Sequence, residues 1–338
     1  MKLSDLNTAQ RQRIISSLAI SANVNVHSAE KDWWVTQVLK AVFSLPYAEH
    51  LSFKGGTSLS KCWHLIDRFS EDIDIAISRD FLGYGGDLSR TQISDKLRRA
   101  ACSFVREKMQ FDLRQALMSQ GISANMFTVN VKITPVTTTD PETIEVEYRS
   151  ALPDNNYVHH CVLIEVSGRS MQEPVCEKEI QSFLDEYAPQ AIVAETPFLI
   201  PRVVVPERTF LEKVFLLHEE FAKPQADVRV NRMSRHLFDI NAMIQAGVAE
   251  RALRDEELYR SIIAHRRKFI NLKGFDYNQL SPDTISIIPP EKVIDLWKKD
   301  YEQMQRSMIY GDSPTFDQLI QSISHLQNQL HQLPFTIS

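Results

Sequence analysis

The sequence has few cysteines, no long hydrophobic run and no excess of positive charge, and each absence excludes a class of protein. Its four cysteines, Cys62, Cys102, Cys161 and Cys176, lack the spacing of metal ligands, so we expect reduced and mostly packed thiols. No apolar stretch is long enough to span a bilayer, and residues 1–5 are polar rather than signal-like. We therefore expect a cytoplasmic protein without a membrane partner.

The charge balance is slightly acidic, with 38 Lys and Arg against 43 Asp and Glu, a formal net charge of −5. This argues against a protein that coats nucleic acid indiscriminately, but it permits a local basic surface. Three stretches are locally basic, within residues 98–114, 229–235 and 260–273. A solvated helix face is the ordinary explanation of such a run. If two of these stretches lined one cleft, they would instead bind RNA phosphates.

The most informative segment reads FKGGTSLSK at residues 53–61 and RFSEDIDI at residues 68–75. Asp72 and Asp74 alternate with isoleucines on a predicted strand, where side chains two residues apart share a face. Two neighbouring carboxylates repel each other unless a cation or hydrogen-bond donors compensate them. Mg²⁺ suits this pair, because it prefers one or two carboxylates together with the oxygens of a nucleotide phosphate.

The glycine turn before this strand predicts the phosphate side of the same site. Gly55 and Gly56 let backbone N–H groups approach a phosphate, and a helix predicted from Thr57 adds its positive N-terminal end. The hydroxyls of Thr57 and Ser58 add further donors. A glycine pair alone is usually a turn, and an Asp-x-Asp pair alone is usually a strand edge. Their combination in this order indicates a nucleotide and metal site.

Together the two segments resemble the first motif of the AbiEii and AbiGii toxin nucleotidyltransferases. These are toxins of type IV toxin–antitoxin and abortive-infection systems, are related to the MenT toxins, and belong to the DNA polymerase β nucleotidyltransferase superfamily. That superfamily often has a shorter gap between the glycines and the first aspartate than residues 57–71, whereas the toxin branch has this longer form. The resemblance implies a toxin with a cognate antitoxin protein, acting in antiviral defence or growth arrest.

A second block, PERTFLEKVFLLH at residues 206–218, predicts an amphipathic helix that opens with a proline. Lys213 lies beside its apolar stripe, so its stem packs while its ammonium reaches a site. Further on, RHLFDI at residues 235–240 resembles the Arg-His-x-x-Asp-Leu segment of the toxin family. The resemblance implies that Lys213 contacts the triphosphate and that Asp239 is a later acidic residue of the site, orienting Lys213. Taken alone, each residue fits a surface salt bridge.

A third acidic residue is expected on a later strand, as in other polymerase β-like sites. Glu165 lies in an otherwise apolar strand, where an unpaired carboxylate would be unfavourable, and is therefore the candidate. Glu145 and Glu147 compete, although their alternation suits an exposed face. By the same resemblance Ser70 is a place where an antitoxin acts by phosphorylation. A hydroxyl that bonds nearby backbone at the start of the strand is the simpler role.

The pattern along the chain predicts an α+β (mixed α/β) fold. A polymerase β-like lobe at residues 1–200 has a small mixed sheet flanked by helices, and a helical lobe follows at residues 201–338, with the site between them. The predicted helices span residues 5–21, 28–45, 57–66 and 90–120. The predicted strands span residues 50–53, 72–77, 126–134, 143–149, 160–167 and 174–183.

The implied reaction is Mg²⁺-dependent transfer of a nucleoside monophosphate from an NTP to an RNA hydroxyl, and the resemblance points to the tRNA 3′ end. Asp72 and Asp74 would hold one Mg²⁺ ion, or two. A nucleotidyltransferase of the antibiotic-modifying type is one alternative, and a catalytically inactive regulatory binding protein of the same fold is another. An Asp-x-Asp glycosyltransferase fits less well, because the glycine turn would then have no task.

Overall fold

The computed structural model describes residues 2–70, 72–132, 141–153, 159–190 and 195–337. The chain divides into two compact units. The first comprises Met1–Cys62 and Phe69–Val204, and the second comprises Trp63–Arg68 and Val205–Ser338. The second unit therefore includes Trp63–Arg68, a short segment that lies between the glycine turn and the aspartates of the first motif. A single boundary near residue 200 does not account for this segment.

In the part of the first unit that the structure describes, seven strands form a central mixed sheet in the order β3-β4-β5-β2-β1-β7-β6. The β5–β2 and β1–β7 pairs are parallel, and the other neighbours are antiparallel. The strands are β1 (Leu51–Lys54), β2 (Asp72–Ile77), β3 (Phe127–Val131), β4 (Glu142–Tyr148), β5 (Cys161–Ser167), β6 (Val175–Ile180) and β7 (Phe198–Val204). This arrangement confirms the predicted mixed sheet, although the residues predicted as strand at 133–134 lie outside the described part.

The helices of the first unit pack against this sheet or against one another. They are α1 (Thr8–Ser21), α2 (Val26–Val42), α3 (Gly55–Lys61), α4 (Arg98–Phe104), α5 (Gln110–Ser119) and α6 (Phe183–Tyr187). The π-helical segment Gln92–Leu97 leads into α4, and a second one, Val105–Met109, joins α4 to α5. The result is one helical run, as predicted for residues 90–120. The core residues of the central strands, such as Ile73, Ile75 and Ile164, are almost completely buried against these helices.

Helix α2 is buried around nearly all of its circumference, which the sequence does not predict. The sequence pattern of the helix predicted at residues 28–45 places Glu30 and Lys31 on its polar face. That prediction is wrong, since each side chain is only 2% exposed. The Glu30 carboxylate accepts hydrogen bonds from Ser150 Oγ and the Ala151 amide, and Lys31 Nζ donates to the His159 carbonyl. Polar groups that find such partners from distant parts of the chain tolerate burial.

Strand β7 is absent from the sequence-based prediction because Pro201 interrupts its pattern. Proline has no N–H for a strand ladder and is confined to edges and irregular positions. Here the pairing between β6 and β7 shifts near the proline, between Cys176 and Lys178. The parallel contact with β1 involves Phe53 and Val203, which follows the proline.

The second unit is helical, as predicted, and contains α7 (Pro206–Phe221), α8 (Arg235–Gln245), α9 (Val248–Arg254), α10 (Glu256–His265), α11 (Glu291–Ser307) and α12 (Phe316–His331). Large aromatic side chains fill its core, including Phe215, Tyr259 and Trp297, which are fully buried. No helix in the described residues has the length and apolar character that a membrane crossing requires.

Candidate active site

Strand β2 presents its two aspartates on the face of the sheet opposite to the apolar core. Ile73 and Ile75 point into the core and are at most 1% exposed, whereas Asp72 and Asp74 are partly exposed. This is the alternation that the sequence predicts. The strand therefore holds two carboxylates on a solvent-accessible face, while its isoleucines pack into the core on the other face.

The strand register places Asp74 in a row with charged residues of both neighbouring strands. Its partner on β1 is Lys54, and its partner on β5 is Glu165. Directly opposite side chains of neighbouring strands lie about 5 Å apart at their Cβ atoms. We call the carboxylates of Asp72, Asp74 and Glu165 the acidic row, and Lys54 lies beside it on β1.

This register distinguishes Glu165 from its two competitors on β4. Glu145 is the register partner of Leu163 and Glu147 is that of Cys161, so both lie one strand beyond β5. Glu145 is also 3.7 Å from Lys132 Nζ. Among the three glutamates, Glu165 alone has Asp74 as a direct register partner.

Gly55 forms the closest approach between the glycine turn and the acidic row. Its φ is +81°, a conformation that favours glycine. A Cβ atom at this position would lie only 1.9 Å from Oδ2 of Asp74. The backbone of the turn is thus packed directly against the carboxylate, and any side chain at Gly55 would displace it.

The hydroxyls that follow the glycines are engaged within the protein. Thr57 is 1% exposed, and its Oγ1 donates to the Asp72 carbonyl and lies 3.0 Å from Ser70 Oγ. A hydroxyl has one proton, and a carbonyl only accepts, so Ser70 must donate to Thr57. Ser58 is fully buried and donates to the Gly55 carbonyl at 2.9 Å. Both hydroxyls therefore brace the turn, leaving the backbone of Gly55 and Gly56 as its partly exposed surface.

Helix α3 begins at Gly55, two residues earlier than predicted, and has seven residues. So short a helix contributes a weak dipole, and the main feature of the turn is the close approach of its backbone to Asp74.

A second group of charged residues lies within the second unit, around Asp239 on α8. Arg68 donates to both carboxylate oxygens, from Nε to Oδ1 at 2.6 Å and from Nη2 to Oδ2 at 2.7 Å. Lys213 Nζ on α7 is 3.0 Å from Oδ2. All three side chains are buried, and Asp239 is completely inaccessible. We call Arg68, Lys213, Asp239 and the adjoining His236 the Asp239 cluster.

Electrostatics in the Asp239 cluster favour an ionised aspartate. Burial alone would raise the pKa of Asp239, but Arg68 and Lys213 outweigh it and hold that pKa well below its usual range. Burial lowers the pKa of Lys213, and Asp239 opposes this effect. Burial and the nearby Lys213 and Arg235 charges hold the pKa of His236 well below its ordinary value. The neutral ring then accepts from Lys213, whose Nζ is 3.4 Å from Nδ1.

The predicted basic stretches consist largely of side chains that have acidic partners. Each partner lies in the same unit, and such pairs on exposed helices are typical of a solvated face. The pairs include Arg98 and Arg99 with Asp95, Arg106 with Glu142, Lys108 with Asp112, Arg229 with Glu220, Arg260 with Glu256, and Arg266 with Glu219.

Lys54 and Arg68 both belong to the quoted motif, but sequence reasoning gives neither of them a role. Lys54 precedes the glycines, and only the β1–β2 register reveals that it lies beside Asp74. Arg68 opens the RFSEDIDI segment, but its partner Asp239 is 171 residues further along the chain. A signal for Arg68 did exist, because a buried carboxylate such as Asp239 requires a cationic partner.

The chain matches a known protein family over a range that includes both motif segments. Residues 37–322 match the family model described as nucleotidyl transferase AbiEii toxin, type IV TA system. No curated protein matches the chain. Among solved structures, the chain is similar to MenT4, a nucleotidyltransferase toxin from Mycobacterium tuberculosis H37Rv, with 15% identity and a TM-score of 0.43 over 95% of this chain and 98% of that chain. It is similar to JHP933 from Helicobacter pylori with 15% identity and a TM-score of 0.41, covering 90% of each chain.

Proposed function

Because the chain belongs to the AbiEii nucleotidyl transferase toxins of type IV toxin–antitoxin systems, and is thus a nucleotidyltransferase, we propose that it transfers a nucleoside monophosphate from an NTP to an RNA hydroxyl. The proposed acceptor is the 3′ end of tRNA, whose alteration would prevent aminoacylation and arrest growth. The observation that carries this proposal is the packing of the Asp74 carboxylate against the Gly55 backbone, because it joins a carboxylate pair to a glycine turn whose N–H groups a phosphate could approach. We further propose that the toxin acts in the cytoplasm, in antiviral defence, and that a cognate antitoxin protein restrains it.

The donor set of the acidic row fits Mg²⁺. Asp72 and Asp74 would hold the ion, with Glu165 as a third ligand, since hard carboxylate oxygens on a partly exposed strand face are what this cation prefers. The described residues contain no preassembled group of three His, Cys, Asp or Glu side chains around a metal position. Mg²⁺ does not require such a cage, because it completes its coordination with water and substrate phosphates. When bound, one or two such ions neutralise triphosphate charge and activate the acceptor hydroxyl.

The glycine turn would bind the phosphates through its backbone. Gly55 and Gly56 offer N–H groups without side chains that would keep a phosphate away. Thr57 and Ser58 belong to the proposed nucleotide site through their hydroxyl bonds, which hold the turn and the start of β2 in one shape. In this proposal their contribution is to positioning, which accelerates the reaction by reducing the freedom of the reactants.

Lys213 would stabilise the charge that develops on the leaving group. The acceptor oxygen forms a bond to the α-phosphorus, the bond from that phosphorus to the bridging oxygen breaks, and pyrophosphate leaves while the hydroxyl proton passes to solvent. An ammonium fixed by a buried carboxylate is preorganised for this task. Asp239 would orient it, as its 3.0 Å contact with Lys213 supports. Arg68, only four residues before Asp72 in the chain, would hold Asp239.

A labelling experiment tests the proposal directly. Purified wild-type protein is incubated with Mg²⁺, total RNA and each labelled NTP in turn, alongside Asp74→Asn, Glu165→Gln and the control Glu147→Gln. Wild type and Glu147→Gln should label RNA, and Asp74→Asn should be slower by about 10²-fold or more. Glu147 is the matched control, because it faces the same side of the sheet without adjoining Asp74.

The outcome also separates the rival activities. Equal labelling of RNA by wild type and Asp74→Asn, or labelling of no RNA with any NTP, would refute the proposed reaction. Label transferred to a compact molecule from a cell extract instead of RNA would indicate a small-molecule nucleotidyltransferase. Equal rates for Glu165→Gln and Glu147→Gln would remove Glu165 from the proposed metal site.

A further inference from the structure

A polar cavity of about 670 Å³ lies in the first unit, apart from the acidic row. It is lined by the N-terminal turn of α1, by Ser123, Asn125 and Met126, by Tyr148 at the end of β4 and by Arg149, which follows that strand. Tyr148 shares the apolar face of β4 with Ile144 and Val146, the face opposite to the acidic row, and β4 lies two strands from β2. The cavity is therefore distinct from the candidate active site.

Two hydrogen-bonding groups that line this cavity are buried and have no partner among the residues that the structure describes. Arg11 on α1 is only 8% exposed, and its Nε has no hydrogen-bond partner in the structure. The hydroxyl of Ser4 is likewise buried and unpartnered. Arg11 Nη1 makes one long contact, 3.4 Å to the Arg149 carbonyl. Because a guanidinium stays charged and an unsatisfied buried donor is unfavourable, a ligand that accepts from both groups would relieve both.

Among the residues that the structure describes, the cavity lining includes two arginines and no carboxylate. Arg11 and Arg149 line it together with hydroxyl and amide groups of Asn7, Thr8 and other polar residues. Neither arginine has an acidic partner among the residues that the structure describes. The helix α1, 14 residues long, also begins here with its partial positive charge. The lining thus attracts an anion.

The buried acid Glu30 does not provide the missing counter-charge. Glu30 contacts a lining residue, Ser150, but its two oxygens accept from Ser150 Oγ and from the Ala151 amide. Asp5, next to Ser4, accepts from the Lys2 amide and caps the first turn of the chain. Both carboxylates are engaged by other groups, and neither bonds to Arg11.

We propose that this cavity binds a phosphorylated small molecule of nucleotide size, with its phosphate held by Arg11, Arg149 and Ser4. A water molecule would satisfy the free donors but leave the buried charge of Arg11 uncompensated. Inorganic phosphate alone would leave much of the volume empty, since ligand cavities of this size accommodate whole small molecules. The hydroxyls and amides of Asn7, Thr8, Ser123 and Asn125 would bind the polar remainder. A guanidinium suits phosphate because its donors form a planar fork.

The test uses the full-length protein with the candidate active site disabled. Calorimetric titrations of AMP, ATP and inorganic phosphate are performed on Asp74→Asn protein in EDTA. The titrations are then repeated on Asp74→Asn proteins that each carry one further substitution, Arg11→Gln or Arg149→Gln. Arg13→Gln is the control, because Arg13 is an exposed arginine on the same helix as Arg11. At least one nucleotide should bind with 1:1 stoichiometry. Each of the first two substitutions should weaken it by about tenfold or more, and the control by less than about twofold.

Each other outcome overturns the proposal. Absence of binding by all three probes at about 5 mM would show that the cavity takes no phosphate ester of this kind. Binding that survives both arginine substitutions would place the nucleotide elsewhere. Binding of a single-stranded RNA that depends on Arg149, without binding of AMP or ATP, would identify an RNA contact instead. Arg149 is exposed, so its variant should fold normally even if loss of Arg11 perturbs α1.

Discussion

Replacing Asp239 by asparagine should destabilise the protein strongly, because it removes the only anion of the Asp239 cluster. With His236 neutral, Arg68, Lys213 and Asp239 sum to one positive charge, and the variant has two. Arg68 is 2% exposed and Lys213 8%, so water cannot solvate the added charge well. Removing one partner of a buried ion pair typically costs about 3–5 kcal/mol. That is a large part of the roughly 5–15 kcal/mol that stabilises a folded domain.

Urea unfolding of wild type and Asp239→Asn measures this difference. The matched control is Glu250→Gln, which removes a carboxylate from an ion pair with Arg254 whose side chains are 67% and 75% exposed. The control should differ from wild type by less than about 0.5 kcal/mol. A loss of under about 1 kcal/mol in Asp239→Asn would refute the reasoning, since the cluster would then be solvated or able to rearrange.

The same pair of proteins should converge at low pH. Arg68 and Lys213 hold the pKa of Asp239 below its ordinary value of 3.8, although burial alone would raise it. A depressed carboxyl pKa stabilises the fold above the unfolded pKa, and this contribution is lost as pH falls through the folded pKa. The stability difference between wild type and Asp239→Asn should therefore be constant above about pH 5 and shrink below about pH 4. A difference that stays constant down to pH 2.5 would contradict the assignment.

Two further predictions concern the glycine turn. Gly55→Ala should abolish nucleotide transfer, because its Cβ would displace Asp74. Gly83→Ala, with a similar φ of +80° but open space around it, should cost only the backbone penalty of about 1 kcal/mol and retain activity in the labelling assay. Thr57→Val should lower the free energy of unfolding in urea by about 1–3 kcal/mol and reduce activity, because it removes the hydroxyl that donates to the Asp72 carbonyl. Thr57→Ser, which keeps the hydroxyl, should retain both stability and activity. A stable and active valine variant would contradict the role of the hydroxyl.

The parts of the site that sequence reasoning reached are those whose geometry is local. Asp72 and Asp74 share a face because of the strand period alone, and the glycines precede them by a short segment of chain. The helical placement of Lys213 likewise follows from the apolar pattern around it. Each of these inferences needs only a few consecutive residues, and none depends on which element packs beside another.

What the sequence did not reveal depends on pairing between distant segments. The positions of Lys54 and Glu165 beside Asp74 follow from strand register, and a shift by one residue would turn either side chain to the other face. The role of Arg68 requires knowledge of α8, far along the chain. The burial of Glu30 was missed for the same reason, because its partners come from residues 150–151.

The assignment of Trp63–Arg68 to the second unit limits how this protein can be divided. A cut between Val204 and Val205 follows the visible boundary, yet it would separate Arg68 from Asp239, its bidentate partner within the same unit. A C-terminal fragment would retain the buried Asp239 carboxylate with Lys213 but without Arg68. An N-terminal fragment would contain the Arg68 guanidinium without its carboxylate partner. Gene fusions, truncations and recombination between relatives should therefore keep Trp63–Arg68 and Val205–Ser338 in the same polypeptide chain.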